Sequence, residues 1–493
     1  MAEGAADAVS RASARASRLL VIALFATLLT VMGFVLWNWY RALSFPYPLD
    51  YGEGPLLAHA VRLAHGDPVY VVPGAAPPWT VVNYPPVYPL LNAVGSMLAG
   101  PAFWYGRLLS MLGAVAAATF AGLIVAQLTR DRVAALVTAL LMPAVPYLGY
   151  WAALARVDAL ALAFSLAGLW CVVRQPASNR WLIAAVVLLT AAAYTRQTYL
   201  LVAPVAAFCW LWPDGRRRAL GFAAALAGIV VILGLALNLA THGGFWFNVV
   251  TANVNAYDWE LLLAYVHDIA GTIPLLIILL IACVVVAVRH RQESARLLLP
   301  YTLGALVVTL TAGKEGSSVN YLLELGTALS LAAGFLLATA RHFPRARLAV
   351  LGVLLVQTVH LAAFPHGFYG YLNSTIGHRA ESARISAVVA ESDDPILADE
   401  DMGFLPLNGR PITLQPFEFS QLDRAGVWDQ APLLTALEQH RLPLIIIYVN
   451  KQDPPVQEQR WTPEMLAAIR ANYRVTESID RAHGQTLIYQ PKR

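Results

Sequence analysis

The segment FPYPLDYGEGPLLAHAVRLAHGDPVY, residues 45–70, follows directly on an apolar run long enough to cross a membrane. Just ahead of it and inside it, Trp37, Trp39, Tyr40, Arg41 and Tyr47 read as an aromatic belt with a basic anchor at the water boundary. Further on, Leu56, Leu57, Ala60, Val61 and Ala64 recur at helical spacing while His59, Arg62 and His65 fall off that stripe. This pattern predicts a short helix stopped by Gly66, too short to span and amphipathic enough to lie along the bilayer surface. Asp50 and Glu53 stand at its mouth. Their Asp-x-x-Glu spacing fits a capping box. The same two carboxylates fit a general base, or a metal ligand, acting on a substrate reached from the membrane plane. Spacing alone leaves both readings open.

The rest of the chain sets the context. Of 493 residues, 58% are hydrophobic and 13% charged, and the mean hydropathy of +0.57 is that of an integral membrane protein. The net charge of +4 is small and the arginines sit in short groups between apolar runs, a pattern of membrane topology that excludes nucleic-acid binding. Cys171, Cys209 and Cys283 all fall inside apolar runs, so no disulfide framework is implied. The N-terminal run is too long for a signal peptide and lacks a small-residue cleavage site, so it reads as a retained first span.

At about 20 residues per span, eleven candidates emerge, near 19–40, 103–127, 133–151, 159–173, 181–194, 199–213, 219–240, 262–288, 297–312, 322–340 and 347–364. With the N-terminus inside, eleven crossings place every arginine group on the cytoplasmic face: Arg11, Arg15 and Arg18; Arg130 and Arg132; Arg174 and Arg180; Arg216, Arg217 and Arg218; Arg289, Arg291 and Arg296; Arg341, Arg345 and Arg347. The other face then collects Asp50, Glu53, Arg156, Asp158, Arg196, Asp258, Glu260, Lys314 and Glu315. Each alone is compatible with a solvated loop or a helix cap. Together they point to a polar cavity, because ionisable groups at membrane depth are costly.

After Pro365 the composition changes. In residues 366–493, short apolar runs (PILAD, RPITL, RLPLIIIYV, TLIYQ) alternate with helix-like stretches (AESARISAVVAES, APLLTALEQH, TPEMLAAIRANY). That alternation predicts a small α/β domain outside the cytoplasm. The expected architecture is therefore an all-α polytopic membrane domain, 1–365, with a first outer loop at 41–102, followed by an extracytoplasmic α/β domain, 366–493. Heavy use of Ala and Arg with little Lys suggests a bacterium, and hence the inner, plasma membrane.

The first loop carries a further pattern. After Asp50 and Glu53 comes RLAHGDPVY, then a Pro-rich extended stretch, then NYPPVYPLL with Tyr84, Pro86, Tyr88 and Pro89. This arrangement resembles the GT-C superfamily of membrane glycosyltransferases, among them lipid A aminoarabinose transferase and the protein O-mannosyltransferases; DPVY departs slightly from the family's Pro-Tyr pair. The resemblance implies transfer of a sugar from a polyprenyl-phosphate donor to a lipid, glycan or protein acceptor, with inversion at the anomeric carbon. It places Asp50 as the base and Glu53 as the second candidate or as partner of Asp50.

A departing phosphate needs cations, which guanidinium groups supply bidentately. Arg196, Arg156 and Lys314 are placed for that role by topology, and Arg196 has no neighbouring carboxylate in sequence to explain it otherwise. Simple ion pairs, Arg156 with Asp158 and Lys314 with Glu315, are the competing reading. Tyr84, Tyr88, Asp158, Glu315, Asn320 and Tyr321 are the substrate-binding candidates. His59, His65, His242 and His267 have no compact ligand spacing; a divalent metal ion on Asp50 or Glu53 stays open as a cofactor. The competing functions are a lipid-linked sugar flippase or transporter, which favours inverted repeats and midplane charges absent here, and a non-catalytic membrane-anchored binding protein, which leaves Asp50, Glu53 and the cations unexplained.

Overall fold

The structure, a computed structural model, describes the backbone of residues 2–450 and 455–492 and the side chains of residues 12–450 and 457–492; the Arg11 side chain lies outside the described residues. The chain opens with α1 (Ala2–Leu43), α2 (Glu53–Ala64), α3 (Val87–Ala99), α4 (Trp104–Thr129), α5 (Arg132–Ala144), α6 (Pro146–Trp151), α7 (Asp158–Arg174) and α8 (Asn179–Thr195). Among the described residues six helices are long and apolar enough to cross a membrane, or seven if Trp259–Thr272 and Pro274–Arg289, bent by 87°, form one broken span. Helix length therefore does not establish eleven crossings. Several expected spans are shorter than they read, and proline is one cause. The run 133–151 is divided at Val145, held extended (φ −64°, ψ 120°) in front of Pro146, as steric clash with the proline ring requires. The run 262–288 also breaks before a proline, at Ile273 ahead of Pro274, where the backbone leaves the helical region (φ −132°, ψ 39°).

The arginine groups gather at one end of the bundle. Arg341 donates to the Thr129 carbonyl at 3.2 Å, Arg218 to that of Pro176 at 3.3 Å, and Arg296 pairs with Asp214 at 3.6 Å. The aromatic belt is narrower than expected. Trp37 and Tyr40 are 58% and 61% exposed, whereas Trp39 turns into the bundle and donates its indole N–H to Gly149 at 2.6 Å.

The C-terminal part carries four strands, β1 (Ile396–Ala398), β2 (Leu444–Asn450), β3 (Tyr473–Arg481) and β4 (Gly484–Pro491), in the order β1-β2-β4-β3. β1 runs parallel to β2, and the remaining pairs are antiparallel. β2 is continuously apolar because both its faces are covered: Ile445 and Ile447 pack with Trp461 and Met465 on one side, Leu444 and Ile446 with Met402 and Phe404 on the other. RPITL, expected as a strand, instead holds the first outer loop: Trp79 N donates to Thr413 O at 2.8 Å, and Gln415 N returns the bond to Trp79 O at 3.0 Å. The helix Gly367–Gly377 packs on α1, where Asn373 donates to Asn38 at 2.9 Å.

α2 forms and stops as its sequence predicts, with Gly66 at φ +82°. Its apolar stripe is covered by protein. The helix is clamped between the bundle and the C-terminal part, its buried face running from Glu53 to Ala60. The approach is closest at two facing glycines, where a Cβ on Gly54 would fall 2.7 Å from the Gly403 backbone. Gly54→Val should accordingly lower stability by about 1–3 kcal/mol through overpacking, seen as a lower unfolding temperature of the detergent-solubilised protein; an unchanged midpoint would refute this contact.

Candidate functional site

Glu53 is fully buried and its two oxygens receive four donors: Leu49 N at 2.8 Å, Ala155 N at 2.7 Å, and Arg107 Nε and Nη2 at 2.9 and 2.7 Å. Arg107, on α4, also donates to the carbonyls of Ala42, Phe45 and Tyr47. The exit of α1, the start of α2 and the turn before α7 are thereby tied together. The capping box does not form: the helix N-cap is Gly52, without a side-chain cap, and Asp50 Oδ2 accepts from Gly52 N at 3.0 Å.

Asp50 also pairs with Arg156 through Oδ2, so the competing ion pair of Arg156 is with Asp50 and not with Asp158. Asp50 Oδ1 has no partner among the described residues, and the side chain keeps 23% exposure. Gly52 makes the pair possible, since a Cβ there would fall on the Arg156 guanidinium. Asp158 belongs to Arg196: it pairs with that guanidinium and accepts from Trp151 Nε1 at 2.6 Å and Asn320 Nδ2 at 3.3 Å. The sequence-based view that no carboxylate accounts for Arg196 is thus corrected; its partner is remote in sequence. The guanidinium also lies 4.8 Å over the Tyr321 ring.

These groups surround a cavity of about 460 Å³, walled by Asp50, Tyr84, Arg156, Arg196, Gln197 and Tyr321 from the helical part and by Gln415, Phe417, Glu418 and Arg460 from the C-terminal part. Arg460 pairs with Glu400 and lies 5.0 Å over the Tyr51 ring. The Tyr51 hydroxyl donates to Glu418 at 2.7 Å, and burial pushes the Glu418 carboxyl up from its ordinary pKa despite Tyr51 and the arginines. Arg460, Glu418 and Gln197 escaped the sequence reading. Of the three, only Glu418 lies in a stretch with a local signal, the acidic and aromatic ILADEDMGFLPLNGRPITLQPFEF.

Other candidates fall outside the cavity wall. Tyr88 is buried and donates to Gly106 O at 2.9 Å. Glu315 accepts from Gln421 at 2.6 Å and faces Arg424 at 3.8 Å, joining the two parts. Lys314 makes no pair with Glu315 and is not in the wall; the wall uses the backbone neighbourhood of Gly316, Ser317 and Ser318 instead. Asn320 and Asp158 act from behind Arg196. Among the described residues no three His, Cys, Asp or Glu converge as a metal site, and the Glu53 oxygens are already taken, so Glu53 does not fit a metal ligand.

Several buried polar atoms of the wall's residues have no partner among the described residues: both ring nitrogens of His59, Asn83 Oδ1, Gln197 Oε1, Arg156 Nε and Arg460 Nη1. The residues that carry these acceptors and donors line one cavity.

Residues 83–240 match the family model described as dolichyl-phosphate-mannose-protein mannosyltransferase. No curated protein sequence matches significantly. The fold is similar to that of ArnT from Cupriavidus metallidurans, in the apo state (TM-score 0.61, 15% identity) and bound to undecaprenyl phosphate (0.60, 16%), each over 93% of this chain and 97% of that one. It is also similar to the Archaeoglobus fulgidus oligosaccharyltransferase tethered to an acceptor peptide, with TM-score 0.56 and 11% identity over 96% of this chain and 74% of the other. The chain is a multi-span membrane protein with the fold of the GT-C glycosyltransferase superfamily.

His59 offers a test of the site's burial. Burial, with Arg62 adding to it, pushes its pKa down to about 3, below the ordinary value near 6.5. Between those values the unfolded chain binds the extra proton, so this contribution is fully present above pH 6.5 and is lost as pH falls toward 3. His59→Leu should flatten the fall in unfolding temperature between pH 6.5 and 5; an unaltered slope would mean that His59 is not buried uncharged.

Proposed function

We propose that this chain is an integral membrane glycosyltransferase that moves a sugar from a polyprenyl-phosphate donor to an acceptor hydroxyl, with inversion. The carrying observation is the cavity wall: unpartnered amide oxygens and imidazole nitrogens suited to sugar hydroxyls stand beside guanidinium N–H groups suited to phosphate. In this reading the arginine-rich end is cytoplasmic and the cavity, with residues 366–493 as a separate domain over it, faces outward from the plasma membrane. The family match and the fold shared with ArnT support it.

Asp50 is the base. Its free Oδ1 takes the proton of the acceptor hydroxyl as that oxygen attacks the anomeric carbon from the face opposite the phosphate. The bond between that carbon and the phosphate oxygen breaks, and the electron pair leaves with the polyprenyl phosphate. Arg196 and Arg156 stabilise the charge that develops there. Glu53 has no lone pair left for the proton and serves as a positioning residue, fixing both Asp50 and, through Ala155 N, Arg156.

Asp50→Asn should leave membrane insertion intact and reduce sugar transfer by about 10²–10⁴-fold, measured with polyprenyl-phosphate sugars identified by mass spectrometry of lipids retained by the purified wild type. Transfer at the wild-type rate would exclude Asp50 as the base. Replacing Arg196 alone would strand the buried Asp158 charge, so the cation is tested as Arg196→Gln with Asp158→Asn. This neutral pair should stay folded and lose affinity for undecaprenyl phosphate by about tenfold or more, on the scale of a hydrogen bond to a charged group; undiminished retention would remove Arg196 from the phosphate site.

A further inference from the structure

At the other end of the bundle, about 45 Å away along α1 at roughly 1.5 Å per residue, a separate cavity of about 560 Å³ opens between the start of α1 and the helix Pro344–Ala363. Its polar wall is Ser13, Ser17, Arg18, Arg341 and Arg347. No carboxylate pairs with any of the three arginines among the described residues. Arg341 spends Nη1 on the Thr129 carbonyl and Nε on His342, while Arg347 Nε is buried without a partner. Asp131, the acid at the start of α5, caps that helix through Oδ1, accepting from Val133 N and Ala134 N, and pairs with none of these arginines. The remaining wall is apolar, with Val21, Ile22 and Val133. It leads onto the outer surface of the bundle, where Leu19 and Ile22 are 67% and 65% exposed.

We propose that this cavity binds the phosphodiester head group of an anionic phospholipid, whose acyl chains run along Leu19 and Ile22. Three guanidinium groups with no counter-ion among the described residues make a positive site, and their planar donors match phosphate oxygens. Arg347 Nε, without a partner among the described residues, gains an acceptor in the bound lipid. Ser13 and Ser17, one helical turn apart, supply hydroxyl donors on the same side. A basic pocket between spanning helices, set at the end where those helices leave the bilayer, recognises head groups by charge and chains by contact. A free phosphate ion shares the head group's chemistry but lacks the chain contact. The proposal does not rest on the transferase reading.

The test is native mass spectrometry of the full chain, delipidated in detergent and titrated with phosphatidylglycerol, phosphatidylcholine or inorganic phosphate. Phosphatidylglycerol should remain bound at concentrations where phosphatidylcholine does not, and equimolar inorganic phosphate should fail to displace it. Arg18→Gln, a change at an exposed position, should weaken phosphatidylglycerol about fivefold, on the scale of one basic residue at an anionic surface. Arg347→Lys should weaken it despite keeping the charge, because the planar Nε donor is lost. Arg345→Gln, a neighbouring arginine outside the wall, should leave it unchanged. Equal retention of the two lipids, displacement by equimolar phosphate, or wild-type retention in both Arg18→Gln and Arg347→Lys would overturn the proposal.

Discussion

The buried contact between Glu53 and Arg107 is the constraint on which the rest of the site depends. Taking two such charges out of water costs several kcal/mol for each, and their attraction offsets that only when every remaining donor and lone pair is met. Here they are met. Arg107 uses its five N–H groups on Glu53 and on the carbonyls of Ala42, Phe45 and Tyr47, and Glu53 takes two backbone N–H groups besides. The carbonyls left open where α1 ends are satisfied by Arg107, and the turn before α7 is pinned through Ala155. A single pair thus replaces the local capping that the Asp-x-x-Glu spacing suggested, and it fixes where Asp50 and Arg156 stand.

The two carboxylates of the first loop are divided by environment. Glu53 is sealed and saturated; Asp50, three residues earlier, keeps one oxygen bound to Arg156 and Gly52 and the other without a partner among the described residues. Sequence spacing cannot express that difference, since both residues are acidic and both follow the same span. It arises from Arg107, more than fifty residues away, and from Gly52, whose missing side chain leaves room for the Arg156 guanidinium.

What was legible in the sequence is what local pattern controls. The membrane class, the clustering of arginines at one end, α2 with its Gly66 stop, the strands β1, β2 and β4, and the gathering of Asp50, Tyr84, Arg156, Arg196 and Tyr321 on one cavity all follow from hydropathy, turn chemistry and charge placement. β3 was not singled out because its burial is intermittent, with charged residues at Arg474, Glu477 and Asp480 along an edge strand. Span counting was blurred where proline divides an apolar run. Partner choice was the least legible: Asp50 with Arg156, Asp158 with Arg196, and Glu315 with Arg424 each join segments distant in sequence, and Arg460 reaches the cavity only because the C-terminal part folds back over it.

That folding back has an electrostatic consequence. Arg156, Arg196 and Arg460 each meet a carboxylate already, in Asp50, Asp158 and Glu400, so the cavity does not hold three bare cations. An anion that had to break these pairs would leave a buried carboxylate uncompensated, a cost of several kcal/mol. Arg156 Nε and Arg460 Nη1 have no partner among the described residues, and in the proposed function they receive the phosphate while the pairs stay closed. Under the proposed function Arg156 works on both substrates: it offers Nε to the leaving phosphate and, through the adjacent Nη2, holds the Asp50 carboxylate where the acceptor hydroxyl must lose its proton. Donor and acceptor chemistry are coupled through one guanidinium, and its position is set by the Glu53 contact to the preceding residue.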